Sequence, residues 1–155
     1  MSSFKSIIND LLRKNISISV VESCTGGKII KEFTDIPGIS KIFHMGLVTY
    51  SDKSKNLLLK IPNSIIKTNG SVSKEVAFLM TKNLSKISKC KLLIATTGIA
   101  GPSGGSLKKP VGLVYISIIF CKKNYIFRQF FTGNRSQIQQ KTVNFCFQEI
   151  KKLIQ

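Results

Sequence analysis

A run of β-branched and small residues, Ile16 to Val21, leads directly into Glu22-Ser23-Cys24-Thr25-Gly26-Gly27. Few arrangements accommodate that order. The run reads as a strand, and the residues after the glycines read as a helix to about Thr34, capped by Thr25 or Ser23. A strand–turn–helix unit of this kind sets a hydroxyl and a thiol at the amino end of a helix. Unpaired backbone N–H groups there carry partial positive charge, which favours an anion or an acyl-transfer oxyanion. Gly26 and Gly27 permit close approach of a ligand to the backbone.

The rest of the chain alternates in the same manner. Phe4, Ile7, Ile8, Leu11 and Leu12 recur at helical spacing, which predicts a helix over residues 3–14 ended by Asn15. Strands are expected over Phe43–Tyr50, Leu92–Thr97, Val111–Cys121 and Tyr125–Phe131, the last two joined as a hairpin by Lys122, Lys123 and Asn124. Helices are expected over Ser51–Leu59, from Ser73 onward with Val76, Met80, Leu84 and Ile87 buried, and over Ser136–Leu153. The last of these places Ile138, Thr142, Phe145, Glu149 or Ile150, and Leu153 at helical spacing. This order predicts an α/β fold: a mixed, mostly parallel sheet of about five or six strands, covered by helices on both faces as a three-layer α/β/α sandwich. The 155 residues suit one domain, 1–155, with no internal repeat or linker.

Composition narrows the chemistry. Four cysteines form no CxxC pair and only His44 could assist them, so a zinc site is not expected. Cys90, Cys121 and Cys146 read as small buried apolar residues. His44 reads as structural, which leaves no Ser-His-Asp triad. No Walker or GxGxxG spacing occurs. The net charge of +17 is spread as isolated lysines and Lys-Lys pairs without interleaved aromatics. It reads as compositional drift rather than a nucleic-acid surface, though its field would attract small anions.

Four loops are richer in glycine and hydroxyls than turns require: 23–27, 49–55, 96–105 with 109–112, and 132–135. In α/β sheets ligands bind beyond the carboxyl ends of strands, where these loops can meet. A lysine whose pKa is lowered by burial or a neighbouring cation can serve as base to a serine. Lys55 is the best-placed candidate, with a solvated helix lysine as the alternative. Cys24 is a rival to Ser23, because thiolates are favoured at helix amino ends. Glu22 either orients the site or satisfies nearby backbone N–H groups.

Taken together, Glu22–Gly27, Asp35-Ile36-Pro37-Gly38, Gly46–Ser51 with Lys55, Gly70–Ser73 with Glu75–Ala77, Thr97–Pro102 with Gly104 and Gly105, Lys109-Pro110-Val111-Gly112 and Gly133-Asn134-Arg135 resemble the CinA carboxy-terminal domain family. Enzymatic members of that family are nicotinamide mononucleotide amidohydrolases. The resemblance covers almost the whole chain and implies hydrolysis of the mononucleotide's carboxamide to nicotinate mononucleotide and ammonia, a step of pyridine nucleotide recycling, without metal or cofactor. It implies Ser23 as nucleophile, Lys55 as base and Tyr50 beside them. It further implies ligand contacts at Glu22, Thr25, Gly26, Gly27, Thr97, Gly98, Gly101 and Arg135. Backbone N–H groups near Thr25 to Gly27 would hold the oxyanion.

Three departures from the family pattern stand out. The usual Gly-Asp-Arg reads Gly133-Asn134-Arg135, a usually basic position is Gln139, and Lys53 lies close in sequence to Lys55, where a cation would lower its pKa. The larger family proteins carry a further amino-terminal domain, so this chain resembles the stand-alone form. The competing readings are a ligand-sensing or nucleic-acid-associated module of the same fold, and an amidohydrolase for another amide. No signal peptide or membrane span is legible, so a cytoplasmic location is expected, with a small-molecule substrate and neither membrane nor nucleic acid as partner. Small α/β enzymes are often symmetric oligomers, which keeps a homo-oligomer within expectation.

Overall fold

The computed structural model describes residues 4–155. Five strands form one sheet in the order β2-β1-β3-β4-β5. They are β1 (Ile18–Glu22), β2 (Phe43–Val48), β3 (Leu92–Gly98), β4 (Leu113–Phe120) and β5 (Lys123–Phe130). β1 pairs in parallel with β2 and β3, while β4 is antiparallel to both β3 and β5. Four of the five strands therefore run one way, and the expected mixed sheet is present. Among the described residues the α-helices are α1 (Phe4–Arg13), α2 (Lys28–Thr34), α3 (Asp52–Leu59), α4 (Asn63–Asn69), α5 (Lys74–Ser88) and α6 (Arg135–Ile154), with a short 3-10 turn at Ile39–Lys41.

Alternation along the central strands makes two cores. Ile18 and Val20 of β1 and Ile94 of β3 face α1, α2 and α6, where Phe33 and Phe147 are buried with ring centroids 5.1 Å apart. Val21 of β1 and Leu93 and Ala95 of β3 face the other way, against Leu59 of α3, Ile66 of α4, and Val76, Met80 and Leu84 of α5. These are the two outer layers of an α/β/α sandwich. The chain leaving β1 thus passes to one face through α2, and the chain leaving β2 passes to the other through α3. Their divergence opens a crevice at the carboxyl ends of β1 and β2.

Several local expectations are corrected. Neither Thr25 nor Ser23 caps α2; Gly27 occupies the cap position with φ 100° and no side-chain cap. Ile87 is half exposed rather than buried: its spacing keeps it in line with Val76, Met80 and Leu84, but it stands one residue from the end of α5 at Ser88. On α6 the buried stripe is Ile138, Thr142, Val143, Cys146, Phe147, Ile150 and Ile154, while Phe145 and Leu153 are partly buried at its edges. The hairpin is tighter than expected: Cys121 and Lys122 alone join β4 to β5, both with positive φ (48° and 72°), as the right-handed strand twist favours. Cys121 is accordingly exposed, unlike Cys90 and Cys146. Helix α4 was not expected. Ser3, placed in the first helix from sequence, lies outside the described residues.

Candidate active site

Ser23 follows β1 immediately, and its N–H donates to Thr96 O of β3 at 3.0 Å, so the sheet continues one step into the turn. Thr49 follows β2 and is tied to β1 through its N–H to Glu22 O (2.8 Å). Two residues later Ser51 caps α3 in a capping box with Ser54. One helical turn past that cap, Lys55 points back toward the sheet. Its Nζ lies 3.0 Å from Ser23 Oγ and donates to Thr49 O at 2.7 Å. Lys55 is only 1 % exposed. Burial lowers its pKa, Asp52 and then Cys24 pulling the other way. The cation Lys53, expected to exert that effect, is solvent-exposed and is not its source.

A cavity of about 240 Å³ opens onto this pair. Of the residues singled out in the sequence, Ser23, Lys55, Tyr50, Thr97, Gly98, Gly101 and Arg135 line it, together with Cys24. Arg135 stands at the first position of α6, whose cap is Asn134 in a box with Gln137. Asparagine caps as well as aspartate, so the departure at residue 134 leaves the arginine's placement intact. Arg135 donates through Nη1 to Gly101 O at 2.8 Å and through Nη2 to Tyr50 Oη. Two of its five N–H donors are thereby used, and its guanidinium is fixed at the rim. Thr97 Oγ1 donates to Ser71 O at 2.8 Å.

Glu22, Thr25, Gly26 and Gly27 do not line the cavity; they build the turn behind it. Glu22 is fully buried and accepts from the N–H of Gly27 (3.0 Å) and of Ile30 (2.7 Å). A carboxylate of the chain itself therefore occupies the amino end of α2, which is not a ligand's anion site. Thr25 Oγ1 is paired with Thr96 Oγ1 at 2.8 Å. The Gly26 N–H donates to Ser23 O at 3.1 Å. The expected oxyanion donors at Gly26 and Gly27 are thus already engaged. Among the described residues, neither the Cys24 nor the Thr25 N–H meets a backbone or side-chain oxygen.

Cys24 is not the activated thiol that its position suggested. Its side chain joins the apolar cluster beneath the turn, and burial pushes its pKa up to about 12. Its carbonyl accepts from Gln139 Nε2 at 2.9 Å, so the residue at the usually basic position braces the serine turn. His44 lies on β2 against Cys90, its Nδ1 3.4 Å from Sγ, and does not line the cavity. Among the described residues no group of three or more His, Cys, Asp or Glu could hold a metal ion, and no helix is long and apolar enough to cross a membrane.

Sequence reasoning missed Asp52, Ser71, Val72, Ile99, Ala100, Ser103 and Gly104 as cavity residues. Asp52, Ile99, Ala100, Ser103 and Gly104 lie within the loops flagged for glycine and hydroxyl content, whereas Ser71 and Val72 lie in the Gly70–Ser73 segment, which only the family resemblance marked. A larger groove of about 650 Å³ between α1, α2 and α6, lined by Phe4, Ile7, Ile36 and Phe147 among others, contains none of the serine–lysine site.

The fold and crevice together define an α/β/α protein with a cavity built on a buried serine–lysine pair. The chain belongs to the CinA family: residues 2–154 match the CinA C-terminal domain. It is 39 % identical over 149 residues, 96 % of its length, to a protein of Caldanaerobacter subterraneus described as competence-damage inducible. It is 42 % identical over 142 residues to a CinA-like protein of Endomicrobium trichonymphae, covering 92 % of this chain. The chain spans about a third of the length of these relatives (36 % and 33 %). Among solved structures, the competence/damage inducible protein CihA of Agrobacterium tumefaciens superposes with a TM-score of 0.93 at 32 % identity, over 99 % of this chain and 94 % of that one. A competence or damage-inducible protein from Enterobacter asburiae shares the fold with a TM-score of 0.92 at 22 % identity, over 99 % of both chains.

Proposed function

We propose that this chain is an amidohydrolase that converts the carboxamide of nicotinamide mononucleotide to the carboxylate, releasing ammonia, through a serine–lysine mechanism. The observation that carries the reading is the buried Lys55 Nζ at 3.0 Å from Ser23 Oγ. Burial favours the neutral amine, and neutral Lys55 can still donate to Thr49 O while its lone pair faces the serine hydroxyl.

Neutral Lys55 takes the hydroxyl proton as Ser23 Oγ bonds to the amide carbon. The carbonyl oxygen becomes an oxyanion, held by the N–H of Cys24, which lines the cavity; one such donor is worth ~2.7–4 kcal/mol in barrier. The ammonium of Lys55 returns the proton to the nitrogen, the C–N bond breaks and ammonia leaves. Water, deprotonated by Lys55, then attacks the ester and releases the carboxylic acid and free Ser23. The cavity of about 240 Å³ falls below the roughly 300–1,000 Å³ of whole-ligand sites, so it suits the pyridine carboxamide alone. The ribose and phosphate then extend over the rim, where Arg135 has N–H donors left for a phosphate.

The test is ammonia release from nicotinamide mononucleotide by the wild-type chain and by Ser23→Ala. Release that disappears in the variant supports both reaction and nucleophile. Release that survives moves the nucleophile elsewhere. No release from the folded wild type favours another amide or the non-enzymatic reading.

A further inference from the structure

Lys109 takes no part in the chemistry above, and it does not line the cavity. Its ammonium is nonetheless held by two carbonyls, those of Asn69 and Val72, the second at 2.7 Å. Asn69 ends α4, where unpaired carbonyls carry partial negative charge. The ammonium fills the bend around Gly70, since a Cβ added there would come within 2.8 Å of Nζ.

The root of the side chain is equally fixed. Lys109 N–H donates to Ser106 Oγ at 3.1 Å, and Ser106 N–H donates to Lys109 O at 2.8 Å. Val111, two residues on, is pressed against the glycine-rich loop. A Cβ added to Gly101 would meet Val111 Cγ1 at 2.5 Å, and one on Gly105 would meet Val111 N at 2.8 Å. Segment 106–112 therefore cannot shift without moving loop 99–105.

Both segments that Lys109 joins are cavity walls. Loop 99–105 contributes Ile99, Ala100, Gly101, Ser103 and Gly104, and the bend contributes Ser71 and Val72. Ser71 Oγ donates to Asp52 at the start of α3, and Arg135 links Gly101 to Tyr50 just before α3. With Lys109 in place, these contacts close a ring around the mouth.

We propose that Lys109 is a positioning residue, a clasp that holds the 70–73 bend against the glycine-rich loop and so sets the width of the Ser23–Lys55 cavity. The enzymatic part of its test rests on the amidohydrolase reading; the exchange part does not. The experiment compares Lys109→Met with wild type by hydrogen–deuterium exchange and by kinetics on nicotinamide mononucleotide. Amides of 70–73 and 99–105 are expected to exchange about tenfold or more faster, with those of β1 and β3 unchanged. KM is expected to rise about tenfold while kcat changes less than about threefold, because the clasp shapes binding and leaves the reacting pair in place. Unchanged exchange in both segments overturns the proposal, as does faster exchange that extends through β1 and β3. Loosened walls with an unmoved KM overturn it too. If the wild type hydrolyses no amide, the functional reading fails, and exchange alone still decides the clasp.

Discussion

Lys55 Nζ and Ser23 Oγ lie 3.0 Å apart although 32 residues separate them in sequence, and both side chains are buried. The contact exists because adjacent parallel strands end side by side and send their chains to opposite faces. If the pair performs the chemistry, Lys55→Met lowers kcat by about 10²–10⁴, the usual contribution of a positioned base. The same change removes a buried amine, so the melting temperature is expected to hold or rise. Ammonia release and thermal unfolding of the same preparation check both halves.

The rate should rise with pH as Lys55 loses its proton, at a pH below the ordinary lysine range because burial lowers its pKa. Asp52 acts in the opposite sense and raises it. Asp52→Asn removes that pull, so more Lys55 is neutral at a given pH and the rising limb of kcat/KM shifts to lower pH. A limb that stays put, or moves upward, means that another group sets it.

Glu22 is a buried carboxylate satisfied by two backbone N–H groups of α2. Glu22→Ala leaves both donors without an acceptor inside the protein, at about 1–3 kcal/mol each. Chemical denaturation is expected to show that loss, with Glu22→Gln in between because its amide oxygen retains one bond. A Glu22→Ala variant as stable as wild type would show that the turn finds other acceptors.

Thiol chemistry separates the cysteines. Cys121 is exposed in the hairpin, whereas Cys24 is buried with its pKa pushed up to about 12. Iodoacetamide at neutral pH is expected to modify Cys121 first and leave Cys24 intact in the folded protein, as peptide mapping would reveal. Cys24→Ala should retain amide hydrolysis; loss of it in a folded variant would return the thiol to the list of nucleophiles.

The sandwich was legible in the sequence because its central strands are short apolar runs and its helices carry clear caps, Ser73 on α5 being one. Helix α4 escaped because a proline just past a helical run also marks a helix stop; Pro62 instead caps the next helix, where a missing N–H costs nothing. Ser23, Tyr50, Lys55 and Arg135 line one cavity. The misplacement of Glu22, Thr25, Gly26 and Gly27 has a physical source. Composition marks a tight turn, but it does not tell which polar groups the turn spends on itself. The same limit hid Lys109, one lysine among many until its distant acceptors were placed beside it.

The brace from Gln139 Nε2 to Cys24 O joins the last helix to the first turn of the site. Together with Arg135 on that helix, it makes the pocket a product of chain order. Ser23 and Lys55 are made before α6, whose residues supply the contacts that steady the serine turn and fix Tyr50. A nascent chain that stops short of α6 carries Ser23 and Lys55 without this scaffold, and so the cavity takes its shape only once α6 has been made.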